Sequence, residues 1–130
     1  MIAVDSSALL AILLEEPEKV AFAEAILMAD GARIGAPNYF EVSIVAESRQ
    51  GQSGCRELDR LASSLGLQVV PFDASHLEEA REAYRRFGKG RHRAALNFGD
   101  CCAYAIAKTL GLPLLFKGND FPLTDIKPAL

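Results

Sequence analysis

The stretch MIAVDSSALLAILLEE, residues 1–16, decides the fold. Ile2 to Val4 is a short apolar strand that stops at Asp5, and Ser6 or Ser7 can cap a helix running through Leu14. Working outward, Pro17 starts a second helix over roughly residues 17–30, with Val20, Ala23 and Leu27 at helical spacing. Arg33 to Ala36 reads as a second strand. Pro37 opens a helix carrying Phe40, Ile44 and Val45 that ends near Gly51, and Ser53 to Leu65 forms another, closed by Gly66. LQVVPF, residues 67–72, is β-branched and short, hence a strand. Ser75 and Glu78 have capping-box spacing ahead of a helix that sets Leu77, Ala80, Tyr84 and Phe87 on one face. Lys89 to Phe98 is a basic loop. The helix from about Gly99 to Leu110 is apolar nearly all round, which marks it as central. Leu114 to Phe116 is a strand, Gly118 to Asp120 a turn, and Asp125–Ile126 a last short strand. Strands alternating with helices define an α/β fold: one domain, residues 1–130, with a parallel sheet of four to five strands and helices on both faces.

Composition agrees. Of 130 residues, half are hydrophobic and 24% are charged, which excludes a disordered chain. No apolar run approaches the roughly 20 residues of a membrane span, and the N-terminus lacks the basic region and cleavage site of a signal peptide. The expectation is a cytoplasmic protein without membrane association. Cys55, Cys101 and Cys102 have no CxxC spacing, so free thiols are expected rather than a disulfide framework or a zinc site.

Net charge is −3, yet the charges are unevenly placed. Arg81, Arg85, Arg86, Lys89, Arg91 and Arg93 face one acid, Glu82, within thirteen residues. Such a patch, with His92 inside it, suits the phosphates of a nucleic acid. Four acids are also out of place for solvated helix faces. Asp5 follows the first strand. Glu41 sits in an apolar helix on the face continuing to Ile44 and Val45. Asp100 lies in the first turn of the most buried helix. Asp120 follows the last main strand. A parallel sheet brings Asp5 and Asp120 to its carboxyl edge, where ligands of such sheets bind, and the helix starts carrying Glu41 and Asp100 can reach the same edge. Four converging carboxylates repel unless a cation lies among them, and an all-oxygen donor set suits Mg2+ or Mn2+. A divalent ion so held activates water for phosphoryl displacement.

MIAVDSSALLAILLEEPE, APNYFEVSIVAE, RFGKGRHRAALNFGDCCAYAIAK and LLFKGNDFPLTDI, in that order, resemble the PIN-domain toxins of bacterial toxin–antitoxin pairs, the VapC family. The resemblance spans nearly the whole chain. It implies a five-stranded parallel fold, a metal-dependent endoribonuclease acting on RNA, a cognate antitoxin protein and a homodimer. The family's acidic quartet falls on Asp5, Glu41, Asp100 and Asp120, the family's small hydroxyl residue falls on Ser7, and Asn119 stands beside Asp120 as a supporting residue. Relatives often carry a proline where this chain has Arg93. Two other readings exist. A receiver-like phospho-signalling module would use Asp5, Lys117 and an acceptor at Asp73, but leaves Glu41, Asp100 and the basic segment without a task. A nuclease or phosphatase on another phosphate substrate would share the site chemistry.

Overall fold

The computed structural model describes residues 1–130. The elements are β1 (Ile2–Val4), α1 (Ser6–Leu13), α2 (Lys19–Met28), β2 (Ala32–Gly35), α3 (Ala36–Ser64), β3 (Leu67–Val70), α4 (Ala74–Phe87), α5 (Phe98–Leu110) and β4 (Leu114–Leu115). A single 3-10 turn follows at Phe121–Leu123. The strands form one all-parallel sheet in the order β3-β2-β1-β4. β1 is central, pairing Ile2 with Ala32 on one side and Ala3 with Leu114 on the other.

Successive side chains of a strand face opposite ways, so β1 feeds two cores. Ile2 and Val4 pack with Leu9, Ile12, Phe22, Ile26 and Val42 from α1, α2 and α3. Ala3 packs with Phe87, Leu96, Tyr104 and Ile106, from α4, α5 and the loop between them. Burial on both faces is why β1 and β4 read as plain apolar runs. No helix is long and apolar enough to cross a membrane.

Several local expectations need correction. The two helices foreseen around Gly51 are not among them: α3 consists of two helical segments broken at Gln50–Gly51, where Gly51 takes φ 62°, ψ −154°, a conformation that suits glycine. The box at the start of α4 lies two residues earlier: Asp73 is the N-cap and its backbone N–H donates to His76 Nδ1 at 3.0 Å. The sheet has four strands. Asp125–Ile126 is not a strand: the backbone meets β4 only further on, where the Leu114 N–H donates to the Lys127 carbonyl and the Ala129 N–H to the Leu114 carbonyl, both at 2.9 Å. The extra pairing is instead a lone parallel bridge from Leu114 to Pro128.

Three apolar stripes also turn out differently. In α2 the buried pair is Phe22 and Ile26, leaving Val20 and Leu27 outside. In α3 the buried face is Asn38, Val42 and Ala46, so Glu41, Phe40 and Ile44 are exposed. In α4 it is His76, Ala83 and Phe87, which leaves Leu77 and Tyr84 exposed.

Candidate active site

Each of the four acids sits where an element ends or begins beyond the carboxyl edge of the sheet. Asp5 follows β1 directly and caps α1. Its Oδ2 accepts hydrogen bonds from the Ser7 backbone nitrogen at 3.1 Å and the Ser7 hydroxyl at 2.5 Å. Asp100 lies in the first turn of α5, in a reciprocal capping box. The Asn97 backbone N–H donates to Asp100 Oδ2 at 3.1 Å, and the Asp100 N–H donates to Asn97 Oδ1 at 2.9 Å. Glu41 is in the second turn of α3, with its carboxylate against Gly99: a Cβ there would lie 2.8 Å from Glu41 Oε1. Asp120 precedes the 3-10 turn, exposed and without a side-chain capping bond.

Asp5 and Asp100 therefore have helix-capping roles, yet each uses only its Oδ2 for them. The acids feel one another. Burial pushes the Asp5 carboxyl up to about 6, the Ser7 bonds pull it down, and the charges of Asp100 and Glu41 push it further up. Asp100 is raised chiefly by burial, and also by Asp120 and Glu41. All four thus act on one corner of the molecule. The chain's ion pairs engage Asp73, Asp125 and glutamates outside the quartet, so no cationic side chain neutralises it.

The donor set fits a hard divalent cation: only carboxylate oxygens, spare lone pairs, mutual repulsion and no protein counter-charge. The side chains do not form a closed three-ligand cage. That is compatible with Mg2+, which keeps several waters and needs one or two carboxylates. The neighbouring thiols are unsuited to join it as thiolates, because burial pushes Cys101 and Cys102 up to about 11.

Two hydroxyl and amide side chains fix the corner. Ser7 Oγ accepts from the Lys117 backbone nitrogen at 2.9 Å while donating to Asp5. This ties the exit of β1 to the exit of β4. Asn38, 1% exposed, donates from Nδ2 to Ser6 Oγ at 2.8 Å and to the Gly99 carbonyl at 3.0 Å. It joins the first turns of α1, α3 and α5, the elements that bear Asp5, Glu41 and Asp100. Sequence reasoning missed Asn38. The available signal was a polar residue on the Val42 and Ala46 face of an apolar helix. Asn119 is exposed and makes no side-chain hydrogen bond to the site.

The basic segment divides into two groups. Arg81 pairs with Glu78 and Arg85 with Glu82, both exposed. Arg86 reaches Asp125 and lies over the Phe87 ring. His92 accepts the Ala94 N–H on Nδ1 and packs edge-on against Phe87, which are loop-forming contacts. Lys89, Arg91 and Arg93 are exposed and have no carboxylate partner, although Arg91 lies over the Tyr84 ring at 5.0 Å. The receiver-like alternative loses its geometry: Lys117 Nζ pairs with Glu16 and Glu18, and Asp73 is a helix cap.

A parallel sheet ordered 3-2-1-4 and flanked by helices, with acids beyond its carboxyl edge, points to a class of protein. A family model of the PIN domain matches residues 2–127. The chain belongs to the PIN-domain family. More particularly, it is 48% identical to Ribonuclease VapC of Mycolicibacterium smegmatis over 123 residues, 95% of each chain. It is 48% identical to Ribonuclease VapC30 of Mycobacterium tuberculosis over 124 residues, 95% of this chain and 94% of that one. Among solved structures it resembles Mycobacterium tuberculosis VapC20, described as a Sarcin-Ricin loop cleaving toxin. The TM-score is 0.74 at 17% identity, covering 98% of this chain and 100% of the other. At that identity the likeness speaks to the fold.

Proposed function

We propose that this protein is a divalent-metal-dependent endoribonuclease, the toxin of a type II toxin–antitoxin pair, active in the cytoplasm as a homodimer and neutralised by a cognate antitoxin. The observation that carries the reading is the quartet Asp5, Glu41, Asp100 and Asp120. It is an uncompensated acidic corner in a chain 48% identical to named VapC ribonucleases.

Asp5 and Asp100, with Glu41 and Asp120 beside them, would hold Mg2+ or Mn2+. When bound, such an ion acidifies water and stabilises the oxygens of an in-line phosphoryl displacement. The remaining work belongs to the chain. Ser7 keeps Asp5 oriented, and its hydrogen bonds favour the ionised form. Asn97 holds Asp100 through its backbone N–H, and Asn38 fixes the start of α5 against α1. Arg81, Arg85, Lys89, Arg91 and Arg93 supply a cationic rim that offsets the repulsion between RNA and the carboxylates. Arg86 and His92 shape the loop that displays them.

The test is cleavage of a panel of structured RNAs with Mg2+ or Mn2+, with Asp100→Asn as control. Metal-dependent products that vanish in the variant support the reading. Cleavage of DNA or hydrolysis of small phosphate esters with no cut RNA overturns it in favour of another phosphate substrate.

A further inference from the structure

Asp120 lies outside the helices and strands that carry or cap the other three acids, exposed and without a side-chain capping bond. Its backbone belongs to a small folded unit, residues 120–126. The Leu123 N–H donates to the Asp120 carbonyl at 3.2 Å, and the Thr124 N–H to the Phe121 carbonyl at 2.9 Å. The Thr124 hydroxyl donates to the same Phe121 carbonyl at 2.7 Å and accepts the Ile126 N–H at 3.1 Å. These bonds set the shape of the unit. Its place on the protein depends on what fastens it.

Phe121 and Ile126 anchor the unit in the core that also holds Tyr104 and Leu114. Apolar burial is non-directional, so orientation falls to a polar contact, and Asp125 makes it. Asp125 Oδ1 accepts the Tyr104 hydroxyl at 2.8 Å. Its Oδ2 lies 2.8 Å from Lys108 Nζ and 3.5 Å from an Arg86 guanidinium nitrogen. Both cations are open to solvent, where ion pairs contribute little. Tyr104 is 1% exposed, which makes its hydroxyl the directional tie. Tyr104 follows Asp100 by four residues and Lys108 follows by four more, so the three lie along one side of α5. The 120–126 unit is fastened to that side at Asp125, and the Asp120 charge reaches the Asp100 carboxyl and pushes it up.

We propose that Asp125 is a positioning residue for the metal site: its hydrogen bond with Tyr104 seats the 120–126 unit on α5 and so sets Asp120 against Asp100. The proposal rests on the divalent-metal reading and adds to it the contact that orients Asp120.

The test is Mn2+ titration of the intact protein by calorimetry, without RNA. Tyr104→Phe removes the hydroxyl and keeps the ring in the core. It should weaken Mn2+ binding about threefold to tenfold, short of the roughly tenfold or greater loss expected when a group bonded directly to a ligand is removed. Asp125→Ala should do the same. Asp125→Asn loses the charge but keeps an oxygen that accepts the Tyr104 hydroxyl, and should bind within about twofold of the parent. In an Asp120→Asn background, Tyr104→Phe should weaken binding no further, because the acid it positions has lost its charge. Unchanged affinity in Tyr104→Phe overturns the proposal. So does a loss in Asp125→Asn as large as that in Asp125→Ala, which makes charge the cause. An equal loss by Tyr104→Phe with and without the Asp120 carboxylate also overturns it, since a general loosening of the fold then suffices. If Asp125→Ala does not fold, Tyr104→Phe and Asp125→Asn decide alone. The metal reading fails separately, when the parent itself binds no Mn2+ in the same titration, and the proposal then falls with it.

Discussion

The Ser7 hydroxyl accepts the backbone N–H of Lys117 at 2.9 Å, 110 residues further along the chain, while donating its own proton to Asp5. One oxygen atom thus ties the β1 exit to the β4 exit and pulls down the carboxyl of the most buried acid, against the burial that raises it. Ser7→Ala removes both bonds. It leaves the Lys117 N–H without its acceptor, a loss of about 1–2 kcal/mol of stability. It also removes a bond that holds the Asp5 carboxyl down. The pH profile of Mn2+ binding should therefore move to higher pH, with a lower thermal midpoint. An unchanged profile would show that Ser7 serves the fold alone.

Asp5 itself gives a pH dependence of defined sign. Its carboxyl is raised from the ordinary 3.8 to about 6, mainly by burial. The folded state therefore binds this proton more tightly than the unfolded state does. The resulting stability is fully present below 3.8 and is lost as pH rises through about 6. At neutral pH the ionised group costs the metal-free protein on the order of 3 kcal/mol. Asp5→Asn should unfold at a higher temperature than the parent at pH 7 in EDTA, with the gap closing towards pH 4, and should lose RNA cleavage at least a hundredfold. Mn2+ affinity of the parent, followed by titration calorimetry, should rise with pH through about 6, as Asp5 ionises. Calorimetric scans at several pH values check the first effect and initial rates the second.

Asn38 should behave as a positioning residue. Its amide donates to Ser6 and Gly99, while its own Oδ1 is buried without a partner. A side chain kept despite an unsatisfied oxygen contributes more to geometry than to net stability. Asn38→Ala should cost about 1–3 kcal/mol and lower kcat more than it raises KM, because α5 and Asp100 lose their tether to α1. Asn38→Asp should be worse, since it adds a buried negative charge beside Asp5 and removes the donor. A proportional loss of kcat and active protein, with no change per folded molecule, would reduce Asn38 to a core residue.

Much of this site was legible in the chain because three of its acids follow from topology. Asp5 comes directly after β1, Asp120 lies in the turn beyond β4, Asp100 is in the first turn of the most apolar helix, and a parallel sheet delivers strand exits to one edge. Glu41 was read on a buried face shared with Ile44 and Val45, and that face is open. The apolar spacing of Phe40, Ile44 and Val45 mimicked a buried stripe, whereas the core takes Asn38, Val42 and Ala46. Composition cannot separate an apolar face used for packing from one left open, and the same ambiguity hid the exposure of Leu77 and Tyr84 on α4. Asn38 was overlooked because its partners, Ser6 and Gly99, lie 32 and 61 residues away. The cap of α4 was displaced by two residues because Asp73 and Ser75 both read as good N-caps.

Gly99→Ala probes Glu41 without touching it. A methyl group there would lie 2.8 Å from Glu41 Oε1, and the obstacle is the end of a flexible side chain on the surface. The helix should tolerate alanine, which favours helix over glycine by about 1 kcal/mol. The thermal midpoint should hold or rise while Glu41 is pushed aside. Mn2+ titration by calorimetry should then show weaker binding, by about threefold to tenfold in view of the one or two carboxylates such an ion requires. Unaltered affinity would remove Glu41 from the metal site.

The cationic rim gives the last prediction. Phosphate contacts release counterions, so affinity falls with salt at a slope of about −0.7 per phosphate neutralised on a single strand. Lys89 and Arg91 are exposed and have no carboxylate partner, and Arg85 is shared only with exposed Glu82. The triple variant Arg85→Glu, Lys89→Glu, Arg91→Glu should weaken RNA binding and flatten that slope by about 2 if all three touch phosphates. All three residues lie outside the N-cap at Asp5 and the capping box that holds Asp100. Metal binding and the thermal midpoint should therefore stay close to those of the parent. Measured between 50 and 200 mM salt, about the range over which phosphate contacts show, a parallel pair of lines would make the segment a solvated surface. Converging lines would place it on the RNA backbone, because a mere change in net charge weakens binding without removing counted phosphate contacts.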